Sequence, residues 1–102
     1  MYRKGEGVRQ DYAEALKWYR LAAAQGEGRA QNNLGSMYTE GYGVPQDYIE
    51  AHMWFNLAAT HSPAGTERER AIRNRDICAR KMTPAQVAEA QKRARDWKAS
   101  PM

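Results

Sequence analysis

The chain has 102 residues, of which 42% are apolar and 27% charged, and it carries a formal net charge of +4. That is one small domain with room for a modest core, and the balance excludes a disordered chain. No apolar run reaches the roughly 18 residues of a membrane-spanning helix, and the opening Met1-Tyr2-Arg3-Lys4-Gly5-Glu6 lacks the apolar stretch of a signal peptide. Alanine is the commonest residue, whereas valine and isoleucine together number six, which argues for closely packed helices over sheet. The single cysteine, Cys78, excludes an internal disulfide and reads as a small buried hydrophobe.

Five helices are predicted. The first covers about 12–25, opening with Asp11-x-x-Glu14 and closing at Gly26. The second covers about 28–40, where Ala30, Asn33, Leu34, Met37 and Tyr38 form one helical stripe. Gly41 then suits a left-handed C-cap, and Gly41-Tyr42-Gly43-Val44-Pro45-Gln46 is turn-like. Asp47-x-x-Glu50 resembles a capping box for a third helix at about 48–60, whose apolar positions cover a broad arc. Thr66-x-x-Glu69 offers another box for a fourth helix at about 67–81, with Ala71, Ile72, Cys78, Ala79 and Met82 on its apolar stripe. Thr83-Pro84-Ala85-Gln86 supplies N-cap, N1 proline and N3 glutamine for a fifth at about 85–98, buried along Val87, Ala90, Ala94 and Trp97.

Residues 2–23 laid on 38–59, a shift of 36, give 13 identities in 22 positions. Among them are Tyr2/Tyr38, Gly5/Gly41, Gly7/Gly43, Asp11/Asp47, Glu14/Glu50, Trp18/Trp54, Leu21/Leu57 and Ala22-Ala23/Ala58-Ala59. A fixed period of this length is the mark of stacked helical hairpins. After residue 60 the period lapses, as in solenoids that end in altered capping elements.

These residues resemble the Sel1-like repeat family, a relative of the tetratricopeptide repeat. Its pattern runs A-x-x-x-L-G-x-M-Y, then G-x-G-V-x-x-D-Y, then x-E-A-x-x-W-[YF]-x-x-A-A-x-x-G. Here Ala30, Leu34, Gly35, Met37, Tyr38, Gly41, Gly43, Val44, Asp47, Tyr48, Glu50, Ala51, Trp54, Phe55, Ala58 and Ala59 match it. Ser62-Pro63 stands where the earlier copy has Gly26, and no third Leu-Gly helix follows. The resemblance implies an all-α, right-handed α-α superhelix of about one and a half repeats, residues 1–62, followed by two capping helices in residues 63–102. It also implies an adaptor role in protein complexes. Disulfide-stapled relatives are excluded by the lone cysteine.

The recurring residues read as architecture. Gly5-x-Gly7 and Gly41-x-Gly43 lack the Gly-Lys-Ser/Thr or the third glycine of phosphate loops and suit positive-φ turns. Trp18 and Trp54 are expected to wedge between helix pairs, and the alanine doublets to let helices approach. His52 and His61 have no partner at ligand spacing, so no metal site is expected, and His52 reads as a partly exposed helix residue. Arg80 and Lys81 flank Cys78 without an activating histidine, and inert burial is favoured. Asp11/Glu14 and Asp47/Glu50 are explained by capping. No nucleophile, base and orienter come together, so neither an enzyme nor a cofactor is expected.

Met1-Tyr2 aligns with Met37-Tyr38, so the helix that should pack on 12–25 is missing. Its apolar face, including Tyr12, Ala15, Tyr19 and Ala22, is expected to lack a cover. Two accounts follow: a C-terminal piece of a longer solenoid, or a homodimer through the uncovered face. Partner contacts are expected from the polar side of the second helix: Arg29, Asn32, Ser36 and Thr39.

Charge is uneven. Residues 1–65 hold six basic and seven acidic side chains, and 66–102 hold ten and five. An acidic or nucleic-acid partner on the basic C-terminal helices is therefore the alternative. Nucleic acid is the weaker reading because Glu67, Glu69 and Asp76 are placed to pair with neighbouring arginines.

Overall fold

A computed structural model describes residues 8–99, with side chains from Tyr12 onward. It contains helices α1 (Val8–Ala24), α2 (Gly28–Glu40), α3 (Tyr48–His61), α4 (Thr66–Ala79) and α5 (Pro84–Asp96), and no strand among the described residues. The chain is all-α, as the alanine-rich, β-branch-poor composition requires.

The ends of the helices follow local chemistry. Glu27 caps α2 by accepting from the Ala30 N–H at 2.6 Å. At its other end Gly41 adopts φ 76°, ψ 31° and donates its N–H to the Met37 carbonyl at 2.8 Å. Asp47 caps α3 by accepting from the Glu50 N–H at 3.1 Å. The reciprocal half of that box is absent, because the Asp47 N–H goes to the Tyr38 carbonyl instead. Among the described residues only Thr83-x-x-Gln86 closes in both directions, at 2.9 and 3.1 Å.

Two expected starts are corrected. Helix α1 begins at Val8, so the backbone of Asp11 lies within the helix and not at its cap. The second copy carries Pro45 where the first has Arg9. A proline holds the residue before it out of the helical region, so α3 cannot extend upstream as α1 does. Thr66 is likewise inside α4. Its N-cap is Gly65, at φ 133° and with no side-chain cap, so Thr66-x-x-Glu69 is not a box. The guanidinium of Arg68 turns back to the Ser62 carbonyl instead, at 3.0 Å from its terminal nitrogen.

Antiparallel α2 and α3 form the central hairpin. Helix α1 packs on α2, and both α4 and α5 pack on α3. One cluster joins Leu16, Ala23, Ala30, Leu34, Met37 and Val44, with Tyr12, Tyr19, Ala22, Tyr38 and Trp54 against it. A second joins Ala51, Phe55 and Cys78. The hairpin closes tightly because Gly35 faces the Phe55 ring: a Cβ there would stand 2.6 Å from a ring carbon. Ala23 and Ala58 are fully buried, in keeping with close helix approach.

The expected open face of α1 is corrected. Tyr12, Tyr19 and Ala22 pack against the first cluster, and Tyr12 also stacks on Tyr42 with centroids 4.6 Å apart. What stands in solvent is Trp18, 59% exposed, and Leu21, 47% exposed. Trp18 therefore does not wedge between helix pairs, whereas Trp54 is half-buried.

His52 is also corrected. It is 3% exposed, and its Nδ1 has no hydrogen-bond partner. The position one period earlier is Leu16, a core residue, so the histidine occupies an apolar slot. Burial, with Arg75 nearby, holds its pKa below 6.5, and Asp76 opposes this. The folded state thus keeps the imidazole neutral. Its stability is fully present above pH 6.5 and falls as pH drops below that value, where the unfolded chain takes up the proton first.

His52→Leu should raise stability at pH 5 by about 1 kcal/mol or more and flatten the acid side of the stability profile, read by denaturant melts across pH. Ala23→Leu and Gly35→Ala should each lose about 1–3 kcal/mol by overpacking. Unchanged thermal midpoints would remove them from the contacts described.

Candidate functional site

Helices α2 and α4 run side by side in the same direction. Their alignment is fixed by a polar tie: Asn32 Nδ2 donates to Glu67 Oε2 at 2.9 Å, and Asn74 Nδ2 donates to Asn32 Oδ1 at 3.5 Å. Beyond the tie the two helices border a cleft of about 200 Å³. Ser36, Thr39 and Glu40 line it from α2, and Asn74, Ile77 and Cys78 from α4. Phe55 forms part of its lining from α3, and Lys81 lines it just past the end of α4.

Three of the four residues expected to meet a partner are accessible, and two line the cleft. Arg29 is exposed in the first turn of α2, and Ser36 is exposed on the cleft wall. Thr39 is half-buried on the same wall, its hydroxyl donating to the Gly35 carbonyl at 2.9 Å. Asn32 is 3% exposed and belongs to the tie beneath the surface. It lies on the polar side of α2, but α4 covers it, which the period of α2 alone does not reveal.

Sequence reasoning missed Ile77 as a cleft residue. It is a large apolar side chain left 44% exposed, bordering the cleft between Asn74 and Lys81. Its position opposite the apolar stripe of α4 was the available signal. Gln31 was missed too. It is fully buried, donates to the Ala23 carbonyl at 3.0 Å, and accepts on Oε1 from His61 Nδ1 at 3.0 Å.

The basic helices are partly neutralised within the chain. Arg93 pairs with Glu50 and Glu89, Lys92 with Asp96, and Arg75 with Asp76. Of the three acidic residues expected to pair along α4, only Asp76 does so among the described residues, since Glu67 is committed to Asn32. Arg70, Arg73, Arg80 and Lys81 form no ion pair among the described residues. Among the same residues no group of three His, Cys, Asp or Glu is placed to hold a metal, and no helix is long and apolar enough to cross a membrane.

A family model for the Sel1 repeat matches residues 1–27 and again residues 28–62. The chain belongs to the Sel1 repeat family. The second Sel1 match takes in α2 and α3, the hairpin around Gly35 and Phe55. Searches of curated proteins and of solved structures return no match. Sel1 repeats build helical solenoids of a non-catalytic scaffold type and generally mediate protein–protein interaction.

Cys78, although it borders the cleft, is not poised for chemistry. Burial pushes its pKa up to about 11, and the opposing charge of Lys81 does not offset this. The native thiol should therefore react with an aromatic disulfide reagent at neutral pH far more slowly than the denatured thiol. Equal rates with and without denaturant would place Cys78 at the surface.

Proposed function

We propose that the chain is a protein-interaction scaffold that receives an extended segment of a partner along the groove between α2 and α4. The observation that carries this reading is the shared cleft, where Ser36 and Thr39 stand opposite Asn74 and Ile77. The Ser36 hydroxyl is placed to hydrogen-bond the guest backbone. Ile77, left 44% exposed, supplies apolar contact for one side chain of the guest. Arg29, toward the start of α2, offers a charge-assisted bond to a guest carboxylate. Asn32 acts from below as a positioning residue, holding the two walls in register through Glu67 and Asn74.

The alternative, nucleic acid or another acidic partner on the basic C-terminal helices, has fewer available charges than the composition suggests. Arg75, Lys92 and Arg93 are already paired, and Arg68 is turned onto the Ser62 carbonyl. The unpaired set includes Arg70 and Arg73 on α4, and Lys81, which lines the groove just past the end of that helix. That placement favours acidic residues flanking the apolar anchor of a protein guest.

A photo-reactive amino acid placed at Ser36, and at exposed Ala88 on α5 as control, tests the proposal in the cell of origin. Adducts to a protein partner are expected from position 36 alone, and Ile77→Glu should abolish them. Equal labelling from both positions would overturn the groove. Binding to random duplex with an affinity falling about a thousandfold between 50 and 200 mM salt would transfer the function to nucleic acid.

A further inference from the structure

Glu14, Trp18 and Leu21 stand at i, i+4 and i+7 on α1, with Gln25 at i+11 just past its end, and all four are exposed. One repeat later the same positions on α3 are Glu50, Trp54, Leu57 and His61, three of them identical. The α3 stripe is largely covered: Leu57 is buried, Glu50 and Trp54 are half-buried, and His61 alone is exposed. Helix α5 packs along α3. Its Arg93 meets Glu50 at 3.1 Å, while Trp97, just past its end, meets Trp54 edge-on at 6.2 Å and packs on His61 at 5.3 Å. Glu50 also accepts from the Trp54 indole N–H at 3.2 Å, so one carboxylate both orients the indole and receives the cation. The protein thus contains one worked example of what binds this stripe: a helix with a cation and an aromatic side chain four residues apart.

We infer that the Glu14–Trp18–Leu21 stripe of α1 is a second docking surface, and that it takes a helix of a partner protein built like α5, with a cation for Glu14 and an aromatic ring for Trp18. The surface shares no residue with the α2–α4 groove, and the inference does not depend on what the groove binds. Lys17 borders the stripe where α3 has Met53, so a carboxylate on the flank of the incoming helix adds a contact that the α3–α5 pair lacks. Desolvated tryptophan contacts of this kind dominate the energy of helix docking.

The test uses the full chain and a fluorescein-labelled peptide of residues 83–98 as the probe. Saturable binding at one site is expected by anisotropy. Trp18→Ala should weaken it by at least about tenfold while leaving the thermal midpoint unchanged, because the side chain stands in solvent. Glu14→Lys should weaken it as well, and an R93E peptide should recover affinity for that variant. Ile77→Glu, which disables the groove, should bind the peptide as the parent does, so failure here is distinguishable from failure of the groove. Equal binding by Trp18→Ala and parent, no saturation, or loss of binding in Ile77→Glu would each overturn the inference. So would a dimer of the parent that Trp18→Ala disperses in sedimentation, which would assign the stripe to a second copy of this chain.

Discussion

Helix α3 is enclosed by its neighbours, and the rest of the molecule depends on that enclosure. Ala51, His52, Met53, Phe55, Leu57 and Ala58 are all buried on it, leaving little of its circumference to water. A helix apolar on so many sides is stable only as the centre of an assembly. On the α2 side the Phe55 ring occupies space that Gly35 leaves by having no side chain. Helices α4 and α5 pack on the same helix and little on each other, so both C-terminal helices depend on α3. Loss of the Gly35–Phe55 fit would therefore loosen elements that never touch Gly35.

Much of this architecture was legible because local and periodic signals agreed. Gly41 as a left-handed cap, Asp47 as an N-cap and Thr83 with Gln86 as a reciprocal box each follow from side-chain chemistry within a few residues. The period of 36 identified the Sel1 hairpin, since Tyr12/Tyr48 and Ala22/Ala58 recur for packing reasons. The errors came where the repeat was trusted over its own departures. Arg9 in place of Pro45 lets α1 start four residues before the expected position, and His52 in place of Leu16 hides a core site behind a polar residue. Trp18 shows the opposite failure. Identity with Trp54 does not bury a side chain when the helix that covers Trp54, α5, has no described counterpart on α1.

The candidate site was legible only in part. The polar side of α2 can be read from its period, and Ser36 and Thr39 do border a cleft. The other wall cannot be read from α2. Asn32 sits on the same polar side as Ser36, yet a neighbour thirty-five residues away takes it out of solvent. Ile77 can be read as an apolar residue off the α4 stripe, but only the fold shows that it borders that cleft. Pairing of charges is similarly non-local: Arg93 finds Glu50 across the fold as well as Glu89 on its own helix.

The Asn32–Glu67–Asn74 tie has a consequence for recognition. It is formed within one chain, so the spacing of the two groove walls near it is established when the protein folds and not when a guest arrives. The conformational entropy of setting that spacing is lost once, at folding, and does not recur at each encounter. In the groove we propose, the guest alone would become ordered. Such a receptor would select by template, admitting segments whose side chains already suit a fixed gauge and refusing those that would require the jaws to spread.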